Sequence, residues 1–314
     1  MYHAVWRNGA WSSPKLVYLI ARDPTDPMGD RIHAHEIRLV PAAGGQLVMA
    51  FESCGARCQD TSLPPNAVLF ALHSPAKTAD LPPFASVSSA SMTAGGLLAP
   101  GSLATGYGSR LSAGTAAAPG LPVPELEGVA VEVIDAAGAG RLAPLLFVSP
   151  GQINYLVPAG TATGRAAVRV RGPERAVAAG PVEIGAVAPA LFSAGATGRG
   201  TVAGYALQIA GDGSRTGFLL YDPATLAPVA LDLAGGAVYL EMYGTGIRGY
   251  RSAVTAQVGG IPVPVLAAVA HGQFPGLDQV NIGPLPAALS GRGSVTVQLT
   301  ADGIAANPVT VTVR

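Results

Sequence analysis

Charge is scarce in this sequence. Of its 314 residues 12% are Asp, Glu, Lys or Arg, and 19 basic side chains balance 19 acidic ones, where an average globular chain carries roughly 25% charge. No window concentrates Lys or Arg, which argues against a nucleic-acid partner and removes the main attraction to an anionic membrane surface. Long apolar runs are missing too. The best candidate, Ile261 to Ala270, is broken by Pro262 and Pro264 and falls short of the roughly 18–20 residues a spanning helix needs, so no transmembrane segment is expected. The amino-terminal MYHAVWRNGAWSSPK sets Trp6, Arg7, Asn8 and Gly9 where a signal peptide needs an unbroken apolar stretch. An exported form would therefore carry its signal outside this chain, which would then be a fragment. Cysteine is nearly absent: Cys54 and Cys58 stand in the loop ESCGARCQD. In an oxidising compartment they are a candidate disulfide closing a small loop, and otherwise two free thiols. No further Cys or His pair completes a tetrahedral zinc site, so no metal is expected.

Apolar residues (49%), Gly (41) and Pro (27) are what the chain has in quantity. That combination suits many short strands joined by tight turns. Helical periodicity is hard to find, whereas alternation of period two recurs at Val129, Val131 and Val133, at Val168 and Val170, at Val238, Leu240 and Met242, at Val295, Val297 and Leu299, and at Val309, Val311 and Val313. Each run predicts a strand with one face on a core. Small or polar residues such as Ser294, Thr296, Gln298 and Thr300 would take the other face.

An internal repeat organises the rest. Phe147, Gln152, Asn154, Gly164, Arg165, Val168, Val170, Pro181 and Val182 reappear 127 residues later (279 − 152 = 127) as Phe274, Gln279, Asn281, Gly291, Arg292, Val295, Val297, Pro308 and Val309. Register held over two strands and their turns means one supersecondary unit used twice. Upstream, Tyr107-Gly108-Ser109-Arg110-Leu111 matches Tyr243-Gly244-Thr245-Gly246-Ile247 at a spacing of 136 (243 − 107 = 136). The reading is an all-β chain with related domains at 84–186 and 187–314, each near the length of an immunoglobulin-like sandwich. Residues 1–83 stand apart. Asn8-Gly9 is a hairpin signal, and strand-like pieces at 15–20, 36–40, 46–51 and 67–72 suffice for about one four-stranded sheet, too little for a closed propeller.

The motifs APGSLATGYGSRL (99–111), APLLFVSPGQINYLVP (143–158), APALFSA (188–194), VYLEMYGTGIRG (238–249) and FPGLDQVNIGPLP (274–286) resemble an uncharacterised C-terminal domain family of secreted, surface-type proteins from Solibacter and other acidobacteria. The resemblance implies tandem immunoglobulin-like, IPT/TIG-like sandwiches at the cell surface or outside it, and no activity. Residues 1–83 resemble a blade of a sialidase-like β-propeller through NGAWSSP (8–14), although Asn8 stands where the Asp-box motif has Asp.

Few constellations could carry chemistry. Gln152 with Asn154 and Gln279 with Asn281 lie two apart, hence on one strand face. Their amides are expected to satisfy backbone groups of a neighbouring loop, the alternative being a grip on a sugar or peptide, for which Tyr155 and Phe274 are the aromatics nearby in sequence. Asp212-Gly213-Ser214 reads as a turn, one carboxylate being too few for calcium, and Asp278 as a turn or strand-cap residue. Gly106-Tyr107-Gly108-Ser109 lacks the strand-turn-helix setting of a nucleophile. His271 is the single histidine of the repeated region, His33 and His35 share one strand face without a third ligand, and Glu125 and Glu127 fall in a Pro-rich loop. No catalytic residue and no cofactor is expected. The leading expectation is a non-enzymatic extracellular module acting in adhesion, anchoring or spacing, with a polysaccharide or cell-surface protein as partner. The alternative is the accessory, carbohydrate-binding tail of a sialidase-like glycoside hydrolase.

Overall fold

The computed structural model describes residues 81–172 and 176–314 throughout, and within 1–80 the backbone of seven strands. Among the described residues there is no α-helix, and no helix long and apolar enough to cross a membrane. The chain forms two compact units, Met1–Lys77 and Thr78–Arg314.

The first unit holds β1 (Tyr2–His3), β2 (Trp6–Arg7), β3 (Ala10–Trp11), β4 (Lys15–Leu16), β5 (His33–Ala42), β6 (Gln46–Cys54) and β7 (Val68–His73). Trp6 lies opposite Trp11 and Arg7 opposite Ala10 in the antiparallel β2–β3 pair, while the Asn8-Gly9 hairpin signal lies outside the described residues. β1 pairs with β4, and β5, β6 and β7 form a three-stranded antiparallel sheet. The candidate Cys54–Cys58 disulfide and the side chains of His33 and His35 lie outside the described residues.

The second unit contains two β-sandwiches, each built around its own core. Ten strands make the first: β8 (Ala85–Ser88), β9 (Leu97–Leu98), β10 (Leu103–Tyr107), β11 (Ala116–Ala117), β12 (Ala130–Ile134), β13 (Gly140–Ala143), β14 (Leu145–Val148), β15 (Gln152–Leu156), β16 (Gly164–Arg171) and β17 (Ala176–Ile184). They form one sheet in the order β11-β14-β15-β10-β8 and another in the order β13-β12-β16-β17-β9. Alternation explains the packing: Val131, Val133, Val168 and Val170 from one sheet meet Ala104, Leu145, Ile153 and Tyr155 from the other, all essentially without solvent contact. Phe84 enters this core under glycines. A Cβ on Gly106 would sit 1.9 Å from the Phe84 ring, and one on Gly180 1.8 Å from its carbonyl oxygen, so both positions demand glycine.

Twelve strands make the second sandwich: β18 (Ala190–Leu191), β19 (Gly204–Ile209), β20 (Arg215–Leu219), β21 (Ala230–Leu231), β22 (Ala237–Thr245), β23 (Val254–Val258), β24 (Ile261–Val263), β25 (Val265–Ala270), β26 (Asp278–Ile282), β27 (Gly293–Ala301), β28 (Ile304–Ala305) and β29 (Val309–Val313). One sheet runs β20-β19-β22-β26-β25 with β18 on β22, and the other runs β21-β29-β27-β23-β24 with β28 on β27. Leu240, Met242, Val280 and Ile282 face Val258, Val297, Leu299 and Val311 across the core.

Nine strands of one sandwich have counterparts in the other. β8-β10-β15-β14 answers to β19-β22-β26-β25, and β13-β12-β16-β17-β9 answers to β24-β23-β27-β29-β21, down to the single parallel pairing of β9 with β17 and of β21 with β29. Tyr107 lies opposite Gln152 as Tyr243 lies opposite Gln279. β14 and β25 both carry an irregularity after their first pair, between Leu145 and Phe147 and between Val265 and Ala267. Here the sequence spacing misleads. Phe147 faces Asn154 from within β14, but Ala267 holds that place opposite Asn281, and Phe274 belongs instead to the longer 271–277 connection that replaces 149–151. The repeated Phe residues are not structural counterparts.

Candidate functional site

Period-two alternation sends Gln279 and Asn281 of β26 outward while Val280 and Ile282 go to the core. Register then decides their neighbours on the outer face. Across the strands one row reads Leu219, Tyr205, Glu241, Asn281 and Ala267, and the row beside it contains Tyr243, Gln279 and Val269. The rings form a continuous run. Tyr205 meets Tyr243 edge-on at 6.4 Å between centroids, Tyr243 meets His271 at 5.6 Å, and His271 meets Phe274 at 5.1 Å. Much of this is in solvent: Tyr205 is 45% exposed, Val269 50% and Phe274 60%. This partly exposed aromatic run is the candidate binding surface.

Hydrogen bonds hold the polar side chains in place. Gln279 Nε2 donates to Asn281 Oδ1 at 3.2 Å, and Gln152 Nε2 donates to Asn154 Oδ1 at 2.9 Å. The amides thus bind each other within each pair, rather than the backbone of a neighbouring loop, which leaves the Asn NH2 and the Gln carbonyl for other partners. Tyr243 Oη donates to Glu241 Oε1 at 2.7 Å. Burial and the adjacent Glu241 carboxylate push the Tyr243 hydroxyl well above its ordinary pKa, so it stays a neutral donor across the biological pH range.

The 271–277 connection closes the row. The His271 amide donates to the Leu277 carbonyl at 3.0 Å, and the Thr245 hydroxyl donates to the Gly276 carbonyl at 2.7 Å. Thr245 Oγ1 also accepts the Leu103 amide of the first sandwich at 2.8 Å. Gly276 has φ +84°, and a Cβ there would press into Leu156 and Leu103, so the loop lies flush against the first sandwich. Asp278 is fully buried and binds the turn after β22: it accepts from the Ile247 amide at 2.7 Å, from the Arg248 amide and from Arg248 Nε. Burial raises its carboxyl pKa against the pull of those donors. It is a structural clamp inside the sandwich, and only Gln279 and Asn281 of this segment reach the face.

The corresponding face of the first sandwich is different. Val87 and Thr105 stand where the second sandwich has Tyr205 and Glu241, both are buried, and Thr105 Oγ1 bonds Ser89 Oγ. Tyr155 points inward, fully buried, and donates to Ser86 Oγ at 2.7 Å. Among the residues singled out in the sequence, Gln279, Asn281, His271 and Phe274 come together, while Gln152 and Asn154 lie in the other sandwich. Asp212 caps its own turn through the Ser214 amide. Among the described residues no group of three His, Cys, Asp or Glu could hold a metal ion. Tyr205, Glu241 and Tyr243 were not singled out as ligand residues. The shared Tyr-Gly motif was a signal for Tyr243 alone, which the register sets opposite Gln279.

Comparison with known proteins gives little by sequence: no family model matches, and no curated protein matches. Among solved structures the chain is similar to SGBP-B of the Bacteroides ovatus mixed-linkage glucan utilization locus, in complex with a mixed-linkage heptasaccharide, at 13% identity and a TM-score of 0.32 over 86% of this chain. The match covers 52% of that protein, so the chain corresponds to about half of its length.

Proposed function

We propose that this chain is a non-catalytic, extracellular β-sandwich module that binds polysaccharide through the outer face of its second sandwich, and so serves adhesion or anchoring. In this reading 84–186 and 187–314 are tandem immunoglobulin-like, IPT/TIG-like domains of the secreted acidobacterial type, the first acting as a rigid support. The run Tyr205, Tyr243, His271 and Phe274 beside the Gln279–Asn281 amides carries the proposal. Sugar rings present apolar C–H faces and hydroxyl edges, which fit exposed aromatic rings flanked by fixed amide donors and acceptors.

Binding of the full chain to a polysaccharide panel, by affinity electrophoresis and calorimetry, tests this. Tyr243→Ala and Phe274→Ala are each expected to weaken binding at least about tenfold, the effect of truncating an aromatic anchor. Gln152→Ala, in the other sandwich, should leave it unchanged. A double Tyr243→Ala, Phe274→Ala variant that still binds as the parent does would remove this face from consideration.

A further inference from the structure

Resting on the reading above, we infer that the ligand is an internal stretch of an uncharged polysaccharide chain, and that Glu241 excludes acidic ones. Shape gives the first half. The face is open and broad: β19, β22, β26 and β25 lie side by side, so the row spans about 15 Å at the usual strand spacing of about 4.8 Å before the Phe274 loop extends it. The described cavities lie elsewhere, one between the sandwiches beside Ser88, Pro189 and Asn307 and one beside Asp135 and Arg165. An outer sheet face spanned by side-by-side strands accommodates a chain that runs on past it, whereas recognition of a chain terminus needs a pocket closed at one side.

Charge gives the second half. Acidic polysaccharides are held by cations, and this face offers almost none. The sequence has no lysine after Lys77. Arg248 is committed to Asp278 and to the Leu277 carbonyl, and Arg215, opposite Ile209 at the end of the β19–β20 ladder, is remote from the rings. The one charged group in the row is Glu241, fixed between Tyr205 and Asn281 by its bond from Tyr243. A carboxylate or sulfate laid on this row would meet a fixed like charge and no Lys or Arg side chain among the described residues of the row, whereas hydroxyls find the Tyr243 ring, two amides and an acceptor oxygen.

The test uses the full chain with two polysaccharide sets, neutral glucans and mannans against polygalacturonate and chondroitin sulfate, at low and moderate salt. The expected result is binding to at least one neutral polymer, insensitive to salt, with affinity growing along an oligosaccharide series and no measurable binding of the monosaccharide. Glu241→Gln keeps an acceptor for Tyr243 and removes the charge, so it should raise the acidic-to-neutral affinity ratio at low salt at least about fivefold. Binding confined to acidic polymers, tight binding of a monosaccharide, or an unchanged ratio in Glu241→Gln overturns the inference while leaving a glycan-binding face in place. Failure to bind any polysaccharide removes the glycan reading itself, and this inference with it.

Discussion

The two sandwiches share a strand order and solve the same packing problem differently. At the centre of the β10 sheet the first uses Gly106 and fills the space with the Phe84 ring. The second puts Met242 at the equivalent place, opposite Val280 as Gly106 is opposite Ile153, and its side chain fills its own space. Their hairpins diverge likewise. β12 and β13 are joined by a longer turn held by Asp135, which accepts the Ala137, Ala139 and Ala162 amides and pairs with Arg141. β23 and β24 need only Gly259-Gly260, both at positive φ. The first sandwich therefore relies on Phe84 and Asp135 where the second uses Met242 and a two-glycine turn, and the second spends its extra length on an exposed surface loop. A duplicated fold leaves the core pattern intact and puts divergence at edges and connections.

The sharpest way to break this contrast is Phe84→Ala. Removing the ring should destabilise the first sandwich by about 3–5 kcal/mol, and hydrogen exchange should show amides of β10 and β16 losing protection while β22 and β27 keep theirs. Equal loss in both would mean the cores unfold as one. Next in size is Asp278→Ala, which strands Arg248 and two amides. A loss of about 3 kcal/mol in denaturant unfolding, centred on the second sandwich, is expected. The matched pair Val168→Ala and Val295→Ala refines the comparison: each should cost about 1–3 kcal/mol, Val168 more, because it is almost wholly buried whereas Val295 keeps 8% of its surface in solvent.

The smallest effect expected is that of Tyr155→Phe, a loss of about 0.5–1.5 kcal/mol from the bond to Ser86, but it carries a pH signature. Burial raises the Tyr155 hydroxyl well above its ordinary value of 10.0. A folded-state pKa above the unfolded one means stability is fully present below about pH 10 and falls as pH rises beyond it. Alkaline titration should weaken the first sandwich in the parent, and this part of the fall should vanish in Tyr155→Phe. Identical alkaline limbs would show that Tyr155 does not link proton release to folding.

The all-β class and the strand faces were legible because burial imposes period two. Val131, Val133, Val168, Val297 and Val311 alternate in the sequence and are buried in the structure. The Gln–Asn pairs were legible as repeated features, but their bonding was not, since an amide two residues away competes with loop backbone on equal chemical terms. The aromatic row was nearly invisible. Tyr205, Tyr243, His271 and Phe274 come from separate strands and a loop, and only the register of β19 on β22 and of β22 on β26 unites them. Phe274 was legible as an aromatic near the Gln279–Asn281 pair, but its matching with Phe147 was mistaken, because a 127-residue spacing that holds from Gln152 onward runs unaltered across a connection whose length has changed.

Thr245 gives the molecule a load path. Its single hydroxyl oxygen joins the Leu103 amide of one sandwich to the Gly276 carbonyl of the other, with Gly276 seated on Leu156 and Leu103. Tension applied at the Phe274 loop therefore enters the first sandwich directly at the ends of β10 and β15, without first crossing the core of the second. Leu103 and Leu156 stand opposite each other in the β10–β15 ladder, so both strands take up that load at the same point.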